Sequence, residues 1–172
     1  MDYKQFVGYI AEVAEAHQEK ALPDAHTHRT FPSGESNPYF THCVWCAMMI
    51  LLDTKLPANI RETGAEVLLF HDVLEDTSAD LPKELSPETR RLIDEMTYKN
   101  WDEEKTIILT KPPLVQLLKL YDKSATLYDA ALSRPRHKEW ADVTEKLTDN
   151  VEKEYGTLNI VVLARELVKQ YK

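Results

Sequence analysis

Glycine, cysteine and long apolar runs are scarce in this sequence. The 172 residues include four glycines and two cysteines. The longest apolar run, Cys43 to Leu52, is too short to cross a bilayer. No segment shows the sustained two-residue alternation that a half-buried strand needs. These absences argue against a membrane-spanning protein and against a β-rich one, and we expect an all-α fold.

Positively charged residues are fewer than negatively charged ones, with 21 Lys and Arg against 29 Asp and Glu. The formal net charge is -8, which argues against general nucleic-acid binding because phosphate backbones are held by clustered Lys and Arg. A small anionic substrate remains compatible with this charge if a local basic pocket or a metal offsets the negative field. The N-terminal stretch has acids and helical spacing where a secretory signal has a basic start. We therefore expect a cytoplasmic protein with a small-molecule partner, with no nucleic-acid or membrane partner, and we leave a homo-oligomer open.

The length and composition indicate one globular domain, covering residues 1–172. A chain of this length, 43% hydrophobic and 29% charged, can bury a core without disulfides or structural metals. The two cysteines, Cys43 and Cys46, have C-x-x-C spacing, but no second cysteine pair is available for a zinc site. We interpret them as small core residues in preference to a zinc or redox site.

Apolar residues recur at helical spacing along most of the chain. The predicted helices run from about Tyr3 to His17, Asn37 to Asp53, Ala58 to Asp76, Ser86 to Tyr98, Trp101 to Thr110 and Leu114 to Leu132, with two more after Pro135 separated at Gly156. The polar segment from Gln18 to Ser36 is long for a connection in a compact domain, so it is a candidate functional loop. Its two histidines, His26 and His28, stay unassigned.

The segment EVLLFHDVLEDT, from Glu66 to Thr77, carries four polar residues inside an apolar run: His71, Asp72, Glu75 and Asp76. On an ideal helix these four lie within an arc of about 140°. The same arc is apolar upstream, so this face should be at least partly buried. Buried carboxylates without partners cost several kcal/mol, so cations and hydrogen bonds must hold them, or they hold a metal.

Two further polar residues stand at apolar positions of other predicted helices. His42 lies at the head of an apolar helix, and Asp122 lies on the apolar stripe of the helix that begins near Leu114. Together with His71 and Asp72 they form a mixed nitrogen and oxygen set that suits an octahedral ion such as Mn²⁺ with open positions. A bound ion would lower the pKa of a water and polarise a phosphoryl oxygen.

These residues resemble the HD-domain metal-dependent phosphohydrolases, and more closely the RelA/SpoT-type hydrolase domain and its stand-alone small alarmone hydrolase relatives. Family-like elements occur in the family's order from about Phe6 to Leu132, and residues 133–172 would add C-terminal helices. The matching elements are AHQ at 16–18, GESNPYFTH before and including His42, LLFHDVLEDT at 68–77 and KLYDK at 119–123.

The resemblance implies a single-domain helical HD fold with a metal site. By it His42, His71, Asp72 and Asp122 would bind a divalent metal, usually Mn²⁺, while Glu75 and Asp76 would serve the hydrolytic step. The four substrate-binding candidates are Arg29, Lys99, Lys123 and Thr126. Arg29 matches an arginine that packs against guanine in the family, and Thr126 stands where the family has an asparagine that contacts the nucleotide.

Three functions follow from this pattern. The first is a phosphohydrolase that removes the 3′-pyrophosphate of ppGpp-like guanosine polyphosphates by metal-activated water. The alternative is a nucleotidase or (d)NTP phosphohydrolase that uses the same metal site. A further alternative, from another class, is a non-catalytic nucleotide-binding helical module, against which the second acidic pair argues because a binder has no need of Glu75 and Asp76.

Overall fold

A computed structural model describes residues 2–31, 33–129 and 134–172, with the side chains of 134 and 135 outside the description. Within these residues the chain is largely helical. The helices are α1 (Tyr3–Glu19), α2 (Phe40–Leu52), α3 (Ala58–Phe70), α4 (Val73–Asp76), α5 (Pro87–Met96), α6 (Trp101–Ile107), α7 (Pro113–Tyr128), α8 (Arg134–Tyr155) and α9 (Asn159–Lys169). A 3-10 turn, Ile108–Thr110, extends α6. The all-α prediction is confirmed, and no helix in the described ranges combines the length and the apolar character that a membrane span requires.

Several helices begin where their capping residues predict. The Asp2 side chain accepts a hydrogen bond from the backbone N–H of Gln5, which starts α1. Ser86 accepts from the N–H of Thr89, with proline in the first turn of α5, and Asn100 caps α6 in the same way. Each cap satisfies a backbone donor that the first helical turn leaves free.

One part of the predicted functional loop forms an antiparallel hairpin. Its strands are β1 (His28–Thr30) and β2 (Ser36–Pro38), with Arg29 opposite Asn37. Sequence patterning missed them because three residues are too few to show alternation. The predicted start of the second helix at Asn37 was also wrong, since those residues pair in β2 and α2 begins at Phe40.

The helix predicted from Ala58 to Asp76 is interrupted at its most polar point. It ends at Phe70, and His71 and Asp72 form a turn before α4. Both residues keep right-handed helical backbone angles, so the interruption distorts the helix without turning it into a loop.

Helix α7 lies at the centre of the molecule and packs against α2, α3, α5, α8 and α9. Most of its residues are buried, among them Asp122. Helices α2 and α3 approach closely at Gly64, where an added Cβ would clash with Cδ1 of Ile50. The end predicted at Leu132 falls outside the described residues, and α7 ends at Tyr128.

The C-terminal helices α8 and α9 are separated at Gly156, as predicted, where φ is +76° and favours glycine. The N-terminus of α9 has no side-chain cap of its own at Leu158. Instead, Asp53 at the end of α2 accepts hydrogen bonds from the N–H groups of Asn159 at 2.9 Å and Ile160 at 3.3 Å. A buried carboxylate from a distant segment thus caps this helix.

Candidate functional site

The four predicted ligands come from three segments of the chain and meet beside α7. His42 lies in α2, His71 and Asp72 lie in the turn between α3 and α4, and Asp122 lies in α7. All four are at least 93% buried. Their placement explains why polar residues occur at apolar positions of the sequence pattern. Each of the four side chains faces the interior.

His71 turns one ring nitrogen toward this cluster. Its Nδ1 donates a hydrogen bond to the backbone carbonyl oxygen of Leu68 at 2.9 Å, so Nε2 faces the carboxylates of Asp72 and Asp122 at 3.2 and 3.8 Å, without a hydrogen bond to a described residue. Although burial opposes the charged ring, these carboxylates raise the pKa of His71 to about 9. A bound cation would replace the Nε2 proton, and a ring oriented through Nδ1 in this way suits a metal ligand.

The ligand atoms are spaced as a metal site requires. His71 Nε2 lies 3.2 Å from Asp72 Oδ2, and His42 Nε2 lies 3.3 Å from Asp122 Oδ1. The donor atoms of His42, His71 and Asp72 all lie within 4.8 Å of one another. Adjacent ligands of an octahedral ion with bonds of about 2.1 Å are about 3 Å apart. His42, His71 and Asp72 could therefore hold a divalent metal ion, and Asp122 Oδ1 lies beside them, 3.8 Å from His71 Nε2.

Two buried lysines hold the far oxygen of Asp122. Lys119 Nζ and Lys123 Nζ each lie 3.1 Å from Asp122 Oδ2, which leaves Oδ1 facing the imidazoles of His42 and His71. Burial favours the neutral acid, but the two ammonium groups hold the pKa of Asp122 well below its usual value. Asp122 is therefore an ionised carboxylate with one oxygen turned toward the cluster.

Glu104, on α6, forms ion pairs with the same two lysines. Its Oε1 lies 3.0 Å from Lys119 Nζ and 2.8 Å from Lys123 Nζ. Although burial opposes the charged form, the carboxylates of Glu104 and Asp122 raise the pKa of Lys119 well above its usual value. Both lysines also line the cavity described below, so their cationic ends lie beside the predicted metal ligands.

Glu75 and Asp76 lie in α4, next to the ligands and without joining them. Glu75 Oε1 accepts a hydrogen bond from the backbone N–H of Tyr98 at 2.6 Å. Burial raises the pKa of Glu75 to about 7, and burial together with the Asp72 and Glu75 carboxylates raises the pKa of Asp76 to about 7. Carboxyl groups that titrate near neutrality can both give and take protons, although a bound cation would lower these values.

The cluster opens onto a cavity of about 550 Å³. Its lining includes His42, Asp72, Asp122, Glu75, Asp76, His26, His28, Tyr39, Tyr98, Lys99, Asn100, Trp101, Glu104, Lys119, Lys123, Thr126, Asp129, Arg136 and Trp140. The volume is in the range of small-molecule sites. Three predicted substrate-binding residues, Lys99, Lys123 and Thr126, line this cavity, as do the unassigned histidines His26 and His28.

Arg29 is placed differently. Its guanidinium forms a buried, two-pronged pair with Asp129, with Nη2 2.7 Å from Oδ1 and Nε 3.0 Å from Oδ2. It ties β1 to the end of α7 and is absent from the described lining of the cavity. Its contact with a nucleobase stays a prediction.

The cysteines are confirmed as buried free thiols in the core. Burial raises the pKa values of Cys43 and Cys46 well above their usual range, so both thiols are protonated. Cys46 Sγ lies 3.8 Å from His42 Nε2, yet among the described residues the group able to hold a metal contains no cysteine.

Sequence reasoning missed Tyr39, which contacts His42 and Asp72, and Glu104, which pairs with Lys119 and Lys123. Tyr39 had a usable signal, since it stands three residues before His42 and so about one helical turn away. Glu104 had none, because an acidic residue in the first turn of a helix is ordinary.

Comparison with known proteins supports this fold. No protein-family model matches the sequence, and a search of curated proteins finds no match. A solved structure, described as "A metazoan ortholog of SpoT hydrolyzes ppGpp and plays a role in starvation responses", superimposes with a TM-score of 0.72 over 99% of this chain and 97% of that one, at 19% identity. The two chains therefore share one all-α fold over nearly their whole lengths, and the all-α fold expected from the sequence is confirmed.

Proposed function

We propose that the protein is a metal-dependent phosphohydrolase that acts on nucleotide polyphosphates, with a ppGpp-like 3′-pyrophosphate as the expected substrate. The observation that carries this proposal is the meeting of two buried imidazoles and two carboxylates at one wall of a cavity that also presents two lysines. The fold shared with a ppGpp-hydrolysing protein supports the choice of substrate.

We expect His42, His71, Asp72 and Asp122 to hold the ion. The Nε2 of His71 and the Oδ1 of Asp122, which lie 3.8 Å apart at the centre of the cluster, fit a cation, as does the excess of carboxylates in a buried site. Their nitrogen and oxygen donors suit Mn²⁺. When bound, such an ion lowers the pKa of a water and polarises a phosphoryl oxygen.

The chain's other residues have separate tasks in this proposal. Lys119 and Lys123 place positive charge where phosphate oxygens would enter from the cavity, and exposed Lys99 extends it to the rim. Glu75, fixed by the Tyr98 N–H, would take a proton from the attacking water, and Asp76 would orient that water or return a proton to the leaving group.

A second function is favoured by the positions of two predicted substrate-binding residues. The guanidinium of Arg29 is engaged by Asp129, which lines the cavity, while Arg29 is not among the described lining residues. Thr126 donates its hydroxyl to the Asp122 carbonyl oxygen at 3.1 Å. Neither arrangement offers the guanine contacts that the family resemblance implies. A nucleotidase or (d)NTP phosphohydrolase with the same metal chemistry is therefore the alternative.

The experiment is product identification on a substrate panel. Purified protein with Mn²⁺ is incubated with ppGpp, nucleoside triphosphates, deoxynucleoside monophosphates and NADPH, and the products are separated by ion exchange and identified by mass spectrometry. We expect pyrophosphate release from ppGpp. Cleavage of another member with ppGpp intact would select the alternative, and metal uptake without turnover of any member would favour the non-catalytic binding module.

A further inference from the structure

Tyr39 immediately precedes α2 and contacts two of the proposed metal ligands. Its hydroxyl donates a hydrogen bond to Asp72 Oδ2 at 2.9 Å. Its ring stacks on the imidazole of His42, with centroids 5.4 Å apart and planes 19° from parallel. Because His42 and Asp72 come from different segments, this one side chain links the two halves of the site.

The hydrogen bond determines how the Asp72 carboxylate faces the cluster. Oδ2 is the oxygen that lies 3.2 Å from His71 Nε2 and 3.8 Å from His42 Nε2. A carboxylate oxygen has two lone pairs. With one directed to the Tyr39 hydroxyl, the carboxylate cannot rotate freely, and the other lone pair stays available to an ion.

The Tyr39 ring is itself held by imidazoles on several sides. His26 stacks on it at 6.3 Å with planes 29° apart, and His17 lies against it at 5.4 Å in a tilted arrangement. His17 is buried, whereas His26 lies on the cavity wall. Tyr39 is half-buried and also lines the cavity, but its ring cannot leave the cluster without losing these contacts, which suits a supporting role.

We propose that Tyr39 is a positioning residue for the metal site, acting on Asp72 through its hydroxyl and on His42 through its ring. This inference rests on the proposed function only in assuming that the cluster binds a divalent ion. Groups that orient metal ligands in this way are typically worth a 10- to 100-fold change in metal affinity.

The test compares Y39F with Y121F. The Tyr121 hydroxyl donates a hydrogen bond to Asp53 Oδ2 at 3.2 Å. Y121F therefore removes the same kind of tyrosine–aspartate hydrogen bond, but at the aspartate that caps α9. Mn²⁺ binding to the metal-stripped full chain is measured by titration calorimetry, with thermal unfolding as the check on folding. We expect Y39F to weaken Mn²⁺ binding about tenfold and Y121F to leave it unchanged.

Two further readouts separate positioning from a general loss of structure. Y39L, which removes the ring as well, should weaken binding more than Y39F does. In turnover assays, raising the Mn²⁺ concentration should restore kcat of Y39F, because the ligands are displaced but present.

Y39F binding within twofold of the wild-type chain would overturn the inference, as would equal losses in Y39F and Y121F. A wild-type chain that takes up no Mn²⁺ would overturn the proposed metal site and this inference with it. Normal metal uptake with an unaffected Y39F would overturn the inference alone.

Discussion

Two buried aspartates, Asp53 and Asp72, have similar immediate surroundings and different roles. Each accepts a hydrogen bond from a tyrosine hydroxyl, Tyr121 for Asp53 at 3.2 Å and Tyr39 for Asp72 at 2.9 Å. Beyond that bond they differ. Asp53 Oδ2 also accepts two backbone N–H groups from the start of α9, whereas Asp72 Oδ2 faces imidazole nitrogens and a cavity.

The difference lies in the charge that surrounds each carboxylate. Asp53 Oδ2 accepts three hydrogen bonds from donors supplied by the fold, while Asp53 Oδ1 is buried without a hydrogen-bond partner among the described residues. Around Asp72 the chain adds further carboxylates, those of Glu75, Asp76 and Asp122. Carboxylates gathered in a buried site cost stability unless a cation compensates them, which is typical of a binding site.

The largest expected effect is that of D72N. The neutral amide keeps the size of the side chain but removes the charge that would hold a divalent ion, so we expect activity to fall by more than about 100-fold, the upper end of losses seen for outer-shell partners. The loss of activity is measured by steady-state hydrolysis with Mn²⁺, and the loss of the ion by mass spectrometry of the metal content. Circular dichroism should show an unchanged helical fold. Activity within tenfold of the wild-type chain would contradict the assignment.

The sequence predicted that polar groups would be buried around Asp72. On the predicted helix His71, Asp72, Glu75 and Asp76 share one face that is apolar upstream, and the structure brings them together although the helix is interrupted at His71 and Asp72. The all-α fold followed from helical periodicity. Asp53 could not be interpreted in the same way, because its role depends on a helix more than a hundred residues later, and no local pattern connects the two.

The next effect in size is that of E75Q. A glutamine oxygen can still accept the Tyr98 N–H, but the side chain can no longer carry a proton, so we expect kcat to fall about 100-fold with metal affinity unchanged. The matched control is E66Q in α3, since Glu66 accepts a hydrogen bond from the Thr89 hydroxyl at 3.1 Å and is not part of the described cavity lining. Equal activity of E75Q and E66Q would show that Glu75 does not transfer a proton in the reaction.

The other features that sequence did not predict are short or depend on tertiary contacts. Strands of three residues carry no periodicity, and the pairing of Arg29 with Asp129 joins residues a hundred positions apart. Tyr39 was visible only as part of a motif. Local patterns therefore located most of the proposed ligands, while the residues that support them became evident from packing.

The smallest effect, on stability alone, is expected for D53N. Loss of the charge weakens the capping of α9, whose residues Ile160, Val161 and Ala164 are buried, so we expect the free energy of unfolding to fall by about 2 kcal/mol. For a chain of this size that lowers Tm by about 4–8 °C. Mn²⁺ affinity and kcat below the transition should match the wild-type chain, because the described partners of Asp53 are Tyr121, Asn159 and Ile160 and include none of the proposed metal ligands. If D53N instead impaired metal binding and left Tm unchanged, the distinction between the two aspartates would be wrong. A carboxylate that only caps a helix can affect metal binding only by unfolding the chain.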